Sequence, residues 1–297
     1  MTAVDFLGLV RAPFLLLGVS CVAAGAGTAF WRTGHVSFKD ALLALVGAVL
    51  AHASVNSLNE YSDFRTGVDS RTRRTPFSGG SGTLQRKPSL AGHALLTGLG
   101  CAALTAVIGV HFILARGWAI MPLGALGLAV VLLYTPWLTR LPALCLIAPG
   151  LGFGTCMVMG TDLVLAGTWS RAGFAASLVP FFLVSNLLLL NQFPDVEADR
   201  AAGRRNFIIT HGLRAGAWIY ALFEGGAYLS VVVAAALGVL PRLSLLALAT
   251  LPLAVRTSLG AFRAARSVAR LVPALGMNVA INLLTPLLLA VGLVLAR

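Results

Sequence analysis

Six of the ten carboxylates in this 297-residue chain lie in two short segments. The first segment is residues 56–69, NSLNEYSDFRTGVD, and the second is residues 191–199, NQFPDVEAD. Each closes an apolar stretch, and each contains an Asn-x-x-x-Asp pattern. Like-charged carboxylates that converge raise one another's pKa, so a cation is needed to keep them ionised together. The two segments therefore predict a cation site.

Helical spacing brings the polar groups of the first segment onto one side of a helix. His52, Asn56, Asn59 and Asp63 are spaced i, i+4, i+7 and i+11, which places them along a single helical face. In the second segment Pro194 cannot continue a helix normally, so we expect a break followed by a new short turn. Oxygen donors of both segments would then point into a shared space.

All of these potential ligands are oxygen atoms, which favours Mg²⁺ or Ca²⁺ over Zn²⁺. Mg²⁺ usually takes one or two carboxylates and completes its shell with water and substrate phosphate. Two facing acidic segments therefore suit two Mg²⁺ ions that bridge a diphosphate.

Basic residues follow both acidic segments, and guanidinium groups bind phosphate in a bidentate manner. For any single arginine the alternative is that it anchors the chain at a membrane surface. The glycine-rich stretch 78–82 could direct backbone N–H groups at phosphate, or it is a flexible loop. Of the basic residues that follow the acidic segments, we favour Arg73, Arg204 and Arg205 as phosphate-binding candidates.

The composition indicates a membrane protein. Apolar residues make up 58% of the chain, charged residues make up 11%, and the mean hydropathy is +0.89, whereas soluble domains carry about 25% charged residues. This excludes a secreted disulfide scaffold, a nucleic-acid-binding domain and a soluble dinucleotide-binding enzyme. We therefore predict one all-α polytopic membrane domain over residues 1–297, with the lipid bilayer as its surroundings.

Apolar stretches of about 20 residues predict about nine transmembrane helices around a central cavity. Polar loops are expected at 61–90, after the second helix, and at 194–214, after the sixth. Only six of the 22 lysines and arginines fall on the face opposite to these loops. The positive-inside rule therefore places the N-terminus and both acidic segments in the cytoplasm. We expect the membrane to be the cell inner membrane. The predicted helices are 12–31, 39–60, 91–114, 118–138, 141–166, 173–193, 215–240, 242–262 and 272–296.

The residues alone leave two classes of function open. Buried acids also occur in secondary transporters, and Glu224, in the middle of the seventh helix, must face a cavity or a polar partner. However, the clustered acids lie at one membrane face and are accompanied by arginines, which favours an enzyme that holds an anion through metal ions. Tyr134 and Arg140, at the end of the fourth helix, are candidates for the same cavity.

At the two acidic segments the chain resembles the UbiA superfamily of intramembrane prenyltransferases. That family carries two Asp-rich motifs, after its second and sixth helices, on a nine-helix fold. Residues 59–69 are most similar to the menaquinone-type branch, which acts on dihydroxynaphthoate. Many members have Asn-Asp where this chain has Asn59-Glu60, and some have a shorter spacing than that between Asp63 and Asp69.

The resemblance implies Mg²⁺-dependent transfer of a polyprenyl group from a prenyl diphosphate to an aromatic acceptor, in quinone biosynthesis. A tetrapyrrole or a lipid alcohol remains an alternative acceptor, and prenyl chain length and oligomeric state stay open. The implied metal ligands are Asn59, Asp63, Asp195 and Asp199. The implied diphosphate-binding residues are Asn59, Asn191, Arg73, Arg204 and Arg205. The implied catalytic residues are Asp63, Asp69, Asp195 and Asp199, and Asp69 would orient or deprotonate the acceptor. Asn56, Tyr134 and Arg140 are the further candidates for the substrate cavity.

Overall fold

The computed structural model describes residues 1–72, 74, 75, 77, 79–264 and 268–297. Within these ranges every regular element is helical, which confirms the predicted all-α class. In the described part of the chain, eight long apolar helices and one shorter apolar helix form the body of the protein. They are α1 (Ala12–Thr33), α2 (Phe38–Thr66), α3 (Pro88–Arg116), α4 (Trp118–Leu133), α5 (Pro142–Ala166), α6 (Arg171–Asn191), α7 (Phe207–Ala236), α8 (Arg242–Arg263) and α9 (Leu271–Leu295).

Eight of these helices, within the described part of the chain, are long and apolar enough to cross a bilayer. The exception is α4, which is shorter than the roughly 20 residues that a perpendicular span requires. The sequence predicted that this helix would extend to residue 138, but it ends at Leu133. Pro136 accounts for the early end, because a proline disfavours helical geometry in the residue before it.

The helices pack in a ring. Each one contacts the next along the chain, and α9 returns to pack against α1. The most buried of them is α6, which also contacts α9 and α1 across the bundle. The ring encloses a cavity that is bordered mainly by α2 to α6.

Both predicted polar loops contain more helix than expected. The second helix continues past residue 60 to Thr66, where Gly67 ends it with a φ of 72°, a left-handed conformation that glycine adopts without steric cost. Short helices then follow at Val68–Arg71 and Thr83–Arg86. In the second loop a short helix occupies Val196–Ala201, as expected after Pro194. Helix α7 begins at Phe207 with Asn206 as its N-cap, and it is interrupted by a kink at Gly212, whose φ is 85°.

Two glycines allow α5 and α6 to approach closely. A Cβ atom on Gly154 would lie 2.5 Å from both the Phe181 nitrogen and the Ser177 carbonyl oxygen, and a Cβ on Gly150 would also clash with the Phe181 backbone. Small residues spaced four apart are the usual means by which membrane helices bring their backbones together. The contact fixes α6, and with it the second acidic segment, relative to the cavity wall.

Replacing Gly154 with valine should destabilise the protein, because the obstacle is rigid backbone. Overpacking of this kind typically costs about 1–3 kcal/mol. We expect a lower thermal unfolding temperature in detergent, measured by intrinsic fluorescence. The matched control is Gly225→Val on α7, where an added Cβ meets no atom within 4 Å. Equal unfolding temperatures for the two variants would show that the α5–α6 contact is not constrained as described.

Candidate functional site

The two acidic segments meet at one end of the bundle. The short helices Val68–Arg71 and Val196–Ala201, which carry the last acids of each segment, pack against each other. Arg204 connects the segments directly: its Nη1 atom lies 2.8 Å from Asp199 Oδ1, and its Nη2 atom pairs with Asp63 Oδ1. The structure therefore places both acidic segments and one predicted arginine in a single site.

Amide side chains orient the two carboxylates that Arg204 bridges. Asn59 Nδ2 donates to Asp63 Oδ2 at 3.0 Å, and Asn59 Oδ1 accepts a hydrogen bond from Thr135. Asn206 Nδ2 donates to Asp199 Oδ2 at 2.9 Å. The capping residue of α7 thus also holds an acid of the site, so the start of α7 and the acidic segment are fixed together.

One carboxylate oxygen of Asp195 is available for a further ligand. Asp195 precedes the helix Val196–Ala201, and its Oδ1 atom is buried without a hydrogen-bond partner among the described residues. Burial, and after it the charge of Asp199, raise the pKa of Asp195 to about 7. Burial likewise raises the pKa of Asp69 and of Asp199. Burial therefore favours the protonated form of these carboxyl groups unless a cation lies beside them.

The donor set fits a hard divalent cation. Asn59, Asp63, Asp195 and Asp199 all line one cavity with oxygen donors, which are the ligands that Mg²⁺ prefers. In the described part of the chain no three His, Cys, Asp or Glu side chains are already grouped as a metal site. The guanidinium of Arg204 lies between Asp63 and Asp199. The metal ligands stay a prediction.

The cavity has a volume of about 570 Å³ and extends from the acids into the apolar interior. His52, which shares the predicted face of α2, lines the cavity with its ring edge-on to Phe153. Its Nδ1 atom is buried and has no hydrogen-bond partner in the part of the chain that the structure describes. Gly79 and Gly80 line the polar end of the cavity. The predicted residues that line the cavity are Asn56, Asn59, Asp63, Asp69, Tyr134, Asn191, Asp195, Asp199 and Arg204.

Three predicted residues are not placed in the cavity. Arg140 and Arg205 are exposed and do not line it. The reason for Arg205 is local: its backbone N–H donates to the Thr139 carbonyl oxygen, and its side chain extends from the surface while the neighbouring Arg204 turns inward. Arg73 lies outside the described residues.

Two important residues were not identified from the sequence. Glu60, which was noted only as a departure from the family pattern, is completely buried. One of its oxygens lies 2.6 Å from Arg11 Nε and 2.8 Å from the backbone nitrogen of Ser81, and the other accepts from Ser81 Oγ. Arg11 lines the cavity and has a left-handed φ of 50°. No local sequence signal pairs residues 11, 60 and 81.

Carboxylates also bind residues 79–87, which follow the first acidic segment. Besides the Glu60–Ser81 contacts, Asp69 Oδ2 accepts from Gln85 Nε2 at 3.1 Å. Asp5, which caps the N-terminal helix Ala3–Leu9 together with Thr2, pairs with Lys87 at 2.8 Å. Residues 79–87 are therefore held over the polar end of the cavity at three points.

The mid-span acid Glu224 faces a polar partner and does not line the cavity. Asn186 Nδ2 donates to Glu224 Oε2 at 3.0 Å and to the Tyr220 carbonyl oxygen at 2.8 Å. Tyr220 in turn donates to Asn278 Oδ1. This network links α6, α7 and α9 inside the bundle, which offsets part of the cost of burying the acid.

The chain is similar to known proteins along most of its length. A model described as the UbiA prenyltransferase family matches residues 19–282. A 1,4-dihydroxy-2-naphthoate octaprenyltransferase from Mycobacterium tuberculosis is 28% identical over 86% of this chain and 85% of the relative. A 2-carboxy-1,4-naphthoquinone phytyltransferase from Synechocystis is 26% identical over 84% of this chain and 80% of the relative.

Solved structures share the fold. A UbiA homolog from Aeropyrum pernix superposes with a TM-score of 0.70 at 16% identity, over 94% of this chain and 97% of the other. A UbiA homolog from Archaeoglobus fulgidus, solved with GPP and Mg²⁺ bound, gives a TM-score of 0.65 at 16% identity, over 97% and 99%. At these identities the likeness establishes the architecture of the bundle.

Glu60→Gln should destabilise the protein, because it leaves the charge of Arg11 without its partner. Removing one partner of a buried ion pair costs about 3–5 kcal/mol; we expect a smaller loss, since Arg11 keeps some solvent access and glutamine still accepts from Ser81. The measurement is the thermal unfolding temperature in detergent. The control, Glu197→Gln, removes an acid whose side chain is 88% exposed. Equal unfolding temperatures for the two variants would show that the Glu60–Arg11 ion pair does not stabilise the fold.

Proposed function

The chain belongs to the UbiA prenyltransferase family, in its menaquinone-type branch, and we propose that it transfers a polyprenyl group from a prenyl diphosphate to a hydroxylated naphthoate. The observation that carries this proposal is the bridge from Arg204 to Asp63 and Asp199 at the polar end of a long apolar cavity. A diphosphate with an apolar tail has the matching distribution of charge and hydrophobic surface.

The diphosphate would bind where the acidic segments meet. Arg204 is the one predicted phosphate-binding arginine that lines the cavity in the described part of the chain, and it would turn from its carboxylates to phosphate oxygens. Asn191 lines the same end and can donate through its amide. These groups stabilise the negative charge that develops as the bond between the prenyl carbon and the diphosphate oxygen breaks.

Asn59, Asp63, Asp195 and Asp199 are the residues proposed to hold Mg²⁺. When bound, the metal ions supply Lewis-acid neutralisation of the departing diphosphate. The same chemistry is consistent with the Mg²⁺ in the Archaeoglobus fulgidus structure. In this chain the unpartnered Asp195 Oδ1 atom is the oxygen most available to a cation.

The cavity walls protect the allylic cation that remains. They are apolar along most of their length, and exclusion of water prevents hydrolysis from competing with transfer. An electron-rich carbon of the aromatic acceptor then forms the new carbon–carbon bond and loses the substituent it carried, in the simplest case a proton. Asp69 lines the cavity, and its raised pKa suits a group that accepts this proton or orients the acceptor.

Activity should depend on both acidic segments and on divalent metal. We expect EDTA to abolish transfer of a labelled prenyl group to naphthoate, benzoate and other aromatic acceptors, and Mg²⁺ to restore it. Asp63→Ala and Asp195→Ala should each lower kcat about 100-fold or more, as losses of electrostatic stabilisation do. Glu197→Ala, two residues from Asp195 but exposed, is the control. Full turnover in EDTA would contradict the metal proposal, and accumulation of label in vesicles without product would indicate a transporter.

We also propose that the site opens to the cytoplasm. The basic residues concentrated beside the acids support this orientation. A cysteine introduced at the exposed Arg200 should react with a membrane-impermeant maleimide only from the cytoplasmic side. A cysteine at the exposed Lys39, at the opposite end of the bundle, should react only from the other side. The reverse pattern would invert the topology.

A further inference from the structure

The apolar part of the cavity is long. On α2 its lining residues run from Asp63 back to Ala44, a rise of about 28 Å at the helical repeat of 1.5 Å per residue. The hydrocarbon core of a bilayer is about 30 Å thick. The cavity therefore extends from the acidic site through most of the membrane, which is far more than a short prenyl tail would fill.

The end opposite to the acids is lined by a compact apolar cluster. Phe112, Ile120, Leu123 and Val164 are each less than 10% exposed, pack together and line the cavity. Their location follows from α5: Cys145, near its start, contacts Gln192 beside the acidic segment, whereas Val164 lies nineteen residues further along. This cluster forms a floor against which the end of a long tail would stop.

Glycines leave the space above this floor open. Gly160 on α5, one turn before Val164, and Gly109 on α3, one turn before Phe112, both line the cavity. A Cβ atom at either position would meet nothing within 4 Å. Gly109 follows Ile108, whose side chain faces Gly47 on α2. Larger side chains at Gly160 and Gly109 would therefore narrow the same far part of the cavity from two different helices.

We propose that the far end of the cavity, between these glycines and the floor, sets the upper length of the prenyl chain. This inference rests on the proposed function. Each buried methylene of the tail adds favourable transfer free energy, so a tail that reaches the floor binds more tightly than a short one. A side chain placed at Gly160 or Gly109 would penalise only the chains that reach that depth.

The alternative is that the prenyl tail leaves the cavity between α3 and α4. Val110 on α3 and Met121 on α4 line the cavity and are also exposed. A tail that left the cavity between them would not reach the floor, and its length would be insensitive to Gly160.

The test is the chain-length profile of purified enzyme with geranyl, geranylgeranyl and octaprenyl diphosphate and one aromatic acceptor. In the wild-type enzyme kcat/KM should rise with chain length. In Gly160→Leu the ratio of octaprenyl to geranyl kcat/KM should fall by about tenfold, equivalent to about 1.4 kcal/mol of lost tail binding. Gly109→Leu provides a second variant should the first not fold, and its ratio should fall in the same direction.

The control is Gly100→Leu, which should keep the wild-type ratio. Gly100 is on the same helix as Gly109, but it is exposed, lies outside the cavity and has no close neighbours. An unchanged ratio in the folded cavity variants would overturn the inference and indicate exit between α3 and α4, while the proposed function would stand. An equal fall in Gly100→Leu would also overturn it. If the wild-type enzyme formed no product with any prenyl diphosphate, the proposed function itself would fail, and the inference with it.

Discussion

The neutralisation of buried carboxylates at one end of the helix bundle is the constraint on which the rest of the structure depends. Asp63 and Asp199 are almost completely buried and share one guanidinium, that of Arg204. Carboxylates this close favour protonation unless a cation accompanies them. The site therefore favours a further positive charge, which the proposed Mg²⁺ ions would supply.

The need to neutralise buried carboxylates also applies outside the Arg204 bridge, where most of the acids have a polar or charged partner in the structure. Glu60, Asp69 and Asp5 each hold part of the segment 79–87 over the polar end of the cavity. Glu224 is retained inside the bundle by Asn186. Of the ten carboxylates in the chain, nearly every one either lies in the site or forms an ion pair or hydrogen bond that holds neighbouring helices together. The apolar remainder supplies the walls.

The sequence predicted the parts of the structure that depend on local spacing. The 3.6-residue period placed His52, Asn56, Asn59 and Asp63 on one face of α2, and all four line the cavity. The helix ends were less accurate, because Gly67 and Asn206 set them through conformation and capping. Contacts between distant residues were beyond prediction: nothing local distinguishes the inward Arg204 from the outward Arg205, or pairs Glu60 with Arg11.

The central claim is that the two acidic segments form one binding site. A double-mutant cycle on the binding of inorganic diphosphate in the presence of Mg²⁺ tests it most directly, with Asp63→Asn and Asp195→Asn as the single variants, measured by calorimetry. Residues of one site couple, so the account predicts that the double variant loses clearly less affinity than the sum of the two single losses. Strictly additive losses, as expected for separate and independent sites, would contradict it.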